Sequence, residues 1–527
     1  MNILNKLMVG AGLCLFALSS CVNDLNTEPL TPTTILPETA WDDPNAYEQF
    51  TAKIYSAFAI PGSDGPSSGD IVGADQGEAT FTRTLWNLEE LPTDEALVAW
   101  SDEGLNGLNF VQWTPTNRFV MLNYDRLELI NAFCNEFLIQ TTADKLASRG
   151  LNEDQIAAAN VNRAEVRALR AYSYYVLMNF YGNVPFTDES TGIGAYMPEQ
   201  RGRDFLFPWI ENELKDVIND LPAKSADGYG KVNRYVADMM LANLYMNAEV
   251  FGQGNHYSDA VACLADIIDH GGYSLEPTYK YNFQADNDQS PEMIFPIIYD
   301  GVYAQSYGGT TYLTAGAYGD DMAPGDNYGL PQYWSGIRSP HDLSQLFDDG
   351  DKRALFFTDN RTQEINEWND FKQGWSVVKY TNLTRDGGKG KDNTFPDTDF
   401  PLFRLADAYL LYVECALRGA NNADASKAVA YYNRIQERAF GNSGHNINTL
   451  SDLTLDQLRD ERARELYWEG HRRTDLIRFN RFVDGKVWSW KNGSFTGTQR
   501  IDNKYLLYPL PSTDLSSNSN LVQNPGY

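Results

Sequence analysis

The chain has 527 residues and a formal net charge of −29. That length suffices for one large core or about two to three ordinary domains, and the acidity disfavours nucleic acid, anionic headgroups and polyanionic substrates as partners. Aromatic residues make up 13% of the chain, with 31 tyrosines and 11 tryptophans, which supplies either a tyrosine-rich core or stacking faces for neutral ligands such as sugar rings.

Lys6 precedes an almost wholly apolar run from Leu7 to Ala17, too short to span a bilayer and of signal-peptide character. It ends in Leu18, Ser19, Ser20 and Cys21, a sequence that resembles a bacterial lipobox. The resemblance implies cleavage before Cys21, acylation of its sulfur and a lipid-anchored mature protein. Residues 1–20 are therefore read as a lipoprotein signal peptide. Residues 21–37, rich in Pro and Thr, are read as a tether, and 38–527 as one folded domain. No later run is apolar and long enough to cross a membrane. Cys134, Cys263 and Cys415 fall in helix-like apolar stretches without the spacing of a disulfide framework or a zinc site; buried free thiols are expected.

Helical spacing runs from Trp41 to Phe58, followed by a Gly/Pro/Ser loop over 61–70 and an irregular, aromatic stretch from Ile71 to Trp113. Further helices are expected over 163–181, 205–221, 235–251, 257–270, 405–418, 425–440 and 455–479. The first stops at Gly182 with Pro185 beyond. Small residues beside tyrosine recur at 170–172, 242–245 and 406–409, a cadence similar to degenerate tetratricopeptide helix hairpins. Between Gly271 and Asp399 the composition shifts to Gly, Asn, Asp, Tyr and Pro. The expected fold is mainly α: a tetratricopeptide-like scaffold over about 38–270 and 400–480. Its large irregular insert of loops and short strands, about 271–399, carries the ligand site.

Catalytic patterns are sparse. Gly65-Pro66-Ser67-Ser68-Gly69 has the letters of a nucleophile elbow but sits in a loop without the strand and helix that expose such a serine. The five histidines lack metal-ligand spacing, and no nucleotide-binding loop is present. Two loops, ADND (285–288) and PDTD (396–399), offer alternating oxygen ligands suited to a hard cation, or else simple turn chemistry.

The segments RALRAYSYYVLMNFYGNVPF (168–187), PDTDFPLFRLADAYLLYVECAL (396–417), RDERARELYWEGHRRTDLIRF (459–479) and YPLPSTDLSSNSNLVQNPGY (508–527) together resemble the SusD/RagB family of outer-membrane glycan-binding lipoproteins from Bacteroidetes. The resemblance covers nearly the whole mature chain. It implies a non-catalytic protein of the cell surface that binds glucan oligosaccharides and delivers them to a TonB-dependent, SusC-like barrel. It also makes 459–479 a scaffold helix, so its charges are assigned to structure.

DQGE (75–78), Arg83, ELPTDEALVAW (90–100) and SYGGTTYL (306–313) are similar to the binding region of the starch-binding founder of the family. By position, Asp75 and Arg83 would bond sugar hydroxyls, Tyr307 would stack, Trp100 is retained, and Trp334 in QYWSG would supply another face. Val98 stands where the founder has a tryptophan platform, a loss on the order of 1 kcal/mol or more; Trp86, Trp113 and Tyr328 are the aromatics left to replace it. Starch-type α-glucan is the favoured ligand, β-1,3-glucan (laminarin) the competing one, and a glycosidase the alternative of another class. No cofactor is required. The resemblance extends to a structural Ca²⁺ held by Asp288 with Asp397 or Asp399.

Overall fold

Polar side chains start most of the long helices. The computed structural model describes residues 40–191, 197–322 and 328–527, so the leader, Cys21 and the tether lie outside the described residues. Residues 47–527 form one unit. Ahead of it, Asp43 accepts the Asn45 N–H at 2.9 Å in a local turn.

The principal helices are α1 (Ala46–Ala59), α2 (Phe81–Glu90), α3 (Arg118–Gln140), α4 (Glu153–Tyr181), α5 (Arg203–Val217) and α6 (Arg234–Met246). They continue with α7 (Tyr257–His270), α8 (Leu405–Leu417), α9 (Ala425–Phe440), α10 (Leu455–Leu466) and α11 (Arg472–Arg478). Asn117, Asn233 and Asp424 accept the first free N–H groups of α3, α6 and α9. Asn152 with Gln155 and Thr454 with Gln457 form capping boxes on α4 and α10. Successive helices pack on one another: α3 on α4, α4 on α5, α6 on α7, and, across the insert, α7 on α8 and α8 on α9. This is the expected mainly helical, hairpin-built scaffold.

Three expectations need correction. The stretch 71–113 contains a helix, α2, in which every residue but Arg83 is buried; its apolar residues Phe81, Leu85 and Leu88 do recur at helical spacing, but the run is short and lies within an otherwise irregular stretch. Helix α3 was not anticipated. The last helix, expected over 455–479, is broken into α10 and α11 at Trp468, whose φ of 63° lies in the left-handed region. Glu95 holds the break by accepting the Trp468 backbone N–H at 3.1 Å, while its carbonyl takes the indole N–H at 3.1 Å.

The charges of 459–479 are structural, as expected, but most are buried rather than spread on a solvated face. Glu465 accepts from Arg404 Nη1 at 2.6 Å, from Arg353 Nη1 at 3.2 Å and from Arg438. Glu469 accepts from Arg404 Nε at 2.6 Å and Lys379 Nζ at 2.7 Å, and Arg462 spans Asp475 and Asp407 at 2.7 and 2.8 Å. Burial alone would raise the Glu465 carboxyl, but Arg438, Arg404 and Arg353 hold it well below the ordinary carboxylate range.

The insert is built of loops and short strands, as expected. Strand β1 (Leu97–Val98) pairs antiparallel with β3 (Ile337–Arg338), and β2 (Met293–Ile297) with β4 (Phe400–Arg404). The β1–β3 pair brings the segment ending at Trp100 beside the one beginning at Trp334.

Candidate glycan-binding site

Trp100, Trp334 and Tyr307 form a row of half-buried rings. The Trp100 and Trp334 centroids are 6.4 Å apart and the Trp334 and Tyr307 centroids 6.3 Å. A half-buried aromatic packs one face on the protein and leaves apolar area for a ligand.

Each ring is fixed by backbone. Trp100 follows β1, and its indole N–H donates to the Trp334 carbonyl at 3.0 Å. Its ring covers Gly336, where a Cβ would fall 2.2 Å from the indole. The Trp334 N–H donates to the Ala315 carbonyl at 2.7 Å, at the end of the short helix Thr310–Ala315. Tyr307 packs edge-on against Phe395, with centroids 4.9 Å apart. Gln332 Nε2 donates to the Thr394 carbonyl at 2.6 Å, so residues 394–395 brace the segments carrying both Trp334 and Tyr307.

The polar residues arrive from the other side. Gly308 and Gly77 meet backbone to backbone: a Cβ on Gly308 would lie 1.9 Å from the Gly77 carbonyl oxygen. That contact sets the 75–78 loop against Tyr307. Asp75 is exposed, its Oδ1 accepting the Gln76 N–H at 2.6 Å and its own N–H donating to Glu78 Oε2 at 3.2 Å. Arg118 in turn clamps Glu78, with Nε at 2.8 Å. Arg83, the residue of α2 that is not buried, lays its guanidinium 4.6 Å over the Tyr312 ring, and among the described residues its Nε has no hydrogen-bond partner. The Tyr312 ring is itself 6.0 Å from Trp100. The structure thus places all five sequence-predicted residues, Asp75, Arg83, Trp100, Tyr307 and Trp334, in one connected region.

A sequence profile of the SusD family matches residues 297–527. The starch-binding protein SusD of Bacteroides thetaiotaomicron is 31% identical, covering 97% of this chain and 96% of that protein. The chain belongs to the SusD family. Two solved structures share the fold. Surface glycan-binding protein A from Bacteroides fluxus has a TM-score of 0.70 at 19% identity, covering 92% of this chain and 99% of that one. Surface glycan-binding protein A from Bacteroides thetaiotaomicron in complex with laminarihexaose has a TM-score of 0.68 at 20% identity, covering 91% and 98%. These SusD-family relatives are named as binding proteins, in agreement with a non-catalytic reading of the chain.

Val98, where a platform was sought by position, is fully buried in β1, its N–H and carbonyl engaged by the Asn109 side chain at 3.1 and 2.9 Å. Trp86 and Trp113 do not replace it: both are buried, Trp86 between Tyr312 and Trp468 and Trp113 against Tyr505 and Tyr508. Tyr328 is half-buried against Tyr318. Sequence reasoning missed Phe395, Tyr312 and the glycine contacts. The Gly308-Gly309 pair beside Tyr307 was the available signal, since paired glycines mark close backbone approach.

The residues expected to hold Ca²⁺ do not fit that ion. Among the described residues no three His, Cys, Asp or Glu side chains converge to hold a metal. Asp399 is buried, accepting the Tyr299 N–H at 2.8 Å and the Tyr229 hydroxyl at 2.7 Å. Asp397 accepts the Gly301 and Lys391 N–H groups, both at 2.7 Å, and Asp288 is exposed. Burial, reinforced by Asp288 and Asp397, pushes the Asp399 carboxyl up to about 7. The loops a cation would pin are pinned by these donors instead.

Proposed function

We propose that this protein is a cell-surface lipoprotein that captures glucan oligosaccharides on the Trp100–Trp334–Tyr307 row and passes them to a TonB-dependent outer-membrane barrel. The observation that carries the reading is that row of backbone-fixed rings with Arg83 and Asp75 at its edge. Pyranose rings stack their apolar faces on such aromatics, while the guanidinium and carboxylate bond hydroxyls. A preformed row favours a ligand already curved to match it, because less ordering is required on binding.

Starch-type α-glucan is favoured by the 31% identity to a protein named for starch binding. β-1,3-Glucan is the second reading, favoured by the fold-level likeness to a protein solved with laminarihexaose. Titration calorimetry with maltoheptaose and laminarihexaose separates them, with Trp334→Ala and Tyr307→Ala as controls. Heat from one ligand that both substitutions abolish supports the reading. Unchanged affinity in both variants moves the site elsewhere, and release of reducing ends from either glucan favours the glycosidase alternative.

A further inference from the structure

Glu90 ends α2, Glu95 leads into β1, and both are buried. Glu90 Oε1 accepts the Gly470 and His471 N–H groups at 2.7 and 3.3 Å, the free N–H groups at the break before α11. Among the described residues no donor faces Glu90 Oε2, which is buried. Glu95 Oε2 accepts the Trp468 N–H, and the Glu90 and Glu95 side chains lie within hydrogen-bonding reach of one another. Two carboxylates in contact and away from water cannot both be ionised without a large penalty. The oxygen lacking a donor, Glu90 Oε2, is the one that is satisfied by carrying the proton and donating it.

We propose that Glu90 and Glu95 share one proton, donated by Glu90, and that this bond is a positioning contact for the strand that ends at Trp100. From Glu95 the chain runs through β1, where Val98 pairs with Ile337, and the Ala99 N–H donates to the Gly336 carbonyl at 2.9 Å. The carboxyl pair ties the start of that strand to the α10–α11 junction; Gly336 and Trp334 hold its end. Only the link to ligand affinity rests on the glycan-binding reading.

Other charged groups face the pair. Glu89 and Asp94 lie on its own segment. Arg472, with Nε 3.4 Å from Glu95 Oε1 and 2.7 Å from Asp94 Oδ1, and Glu469 come from the junction. Tyr380 approaches from the insert, and Lys491 donates to the Leu91 carbonyl at 2.6 Å. Burial, then the Glu95 charge, raises Glu90 well above the ordinary glutamate value, and burial raises Glu95 to about 7. Both folded values exceed the unfolded one, so the stability they contribute is complete at acid pH and is lost as pH rises through about 7 and beyond.

Glu90→Gln tests this. The carboxamide oxygen still accepts from Gly470 and His471, and its NH₂ donates to Glu95 at every pH. Titration of Glu89, Tyr380 and Lys491 is common to both proteins and cancels in the difference. Between about pH 6 and about pH 9 the melting temperature of the natural protein should fall more steeply than that of Glu90→Gln. At the upper pH, hydrogen exchange of residues 91–100 should be several-fold faster in the natural protein, compared at equal pH so that intrinsic rates match. Affinity for maltoheptaose or laminarihexaose should weaken over the same interval in the natural protein and hold in the variant. Parallel melting curves overturn the shared proton. Diverging curves with equal exchange over 91–100 overturn the positioning role. If neither glucan binds either protein near neutrality, the glycan reading fails while melting and exchange still decide the pair.

Discussion

The indole of Trp100 lies over Gly336, whose missing side chain leaves the ring its place; a methyl there would fall 2.2 Å from Cζ2. The same indole donates to the Trp334 carbonyl at 3.0 Å, so one glycine leaves the space in which the Trp100 and Trp334 rings are tied together. Gly336→Ala should displace Trp100, cost about 1–3 kcal/mol of stability and weaken glucan affinity. Denaturant unfolding alongside calorimetry measures both; an unaltered affinity would show that Trp100 does not contact the ligand.

Gly308 offers less room to yield, because a Cβ there would meet the Gly77 carbonyl at 1.9 Å as well as the Thr80 hydroxyl at 2.0 Å, and the backbone carbonyl cannot swing away. Gly308→Ala should separate the 75–78 loop from Tyr307 and lower the melting temperature by more than Gly336→Ala does. A crystal structure or melting curve of the variant checks the order of the two effects.

Glu465 is surrounded by Arg353, Arg404 and Arg438. Replacing it with Gln leaves buried guanidinium charge uncompensated and should cost about 3–5 kcal/mol, read from chemical denaturation. Its folded value lies below the unfolded 4.5, as does that of Asp475 below 3.8. The stability they contribute is therefore full above those values and lost as pH falls through and below them. Acid unfolding of the natural protein, weakened in Glu465→Gln, is the expected outcome.

A chelator should leave the melting temperature unchanged, since the oxygens of Asp397 and Asp399 are already engaged by N–H and O–H donors. A rise in melting temperature on adding Ca²⁺ would reveal a cation site built in another way.

Cys21→Ser should move the protein from the membrane fraction to the soluble one and end glucan uptake by cells, with affinity in solution unchanged. Retention in the membrane fraction would remove the lipid anchor from the reading.

Much of the helical scaffold was legible because its helices are amphipathic and several of them are capped. Helices α7 (Tyr257–His270) and α9 (Ala425–Phe440) have the bounds that periodicity predicts. Helix α4 (Glu153–Tyr181) starts earlier than predicted, since its first turns bury little and carry no wide apolar stripe. Helix α2 escaped because its period, carried by Phe81, Leu85 and Leu88, is short and lies within an irregular stretch, and the break at Trp468 escaped because its cause, Glu95, is hundreds of residues away in the chain.

The site divides in the same way. The types of its residues, aromatic rings beside Arg83 and Asp75, are properties of the sequence and its family resemblance. So are the acidic surface and the expected leader ending at Cys21, because composition and local motifs need no folding to be read. Only the tertiary structure decided that Val98 faces inward, that Phe395 backs Tyr307, and that Asp397 and Asp399 bond N–H and O–H groups rather than converging on a metal. It alone revealed the contacts Gly77–Gly308 and Gly336–Trp100. Those facts depend on groups distant in the chain meeting in space, and the packing that brings them together is cooperative, so no local pattern carries it.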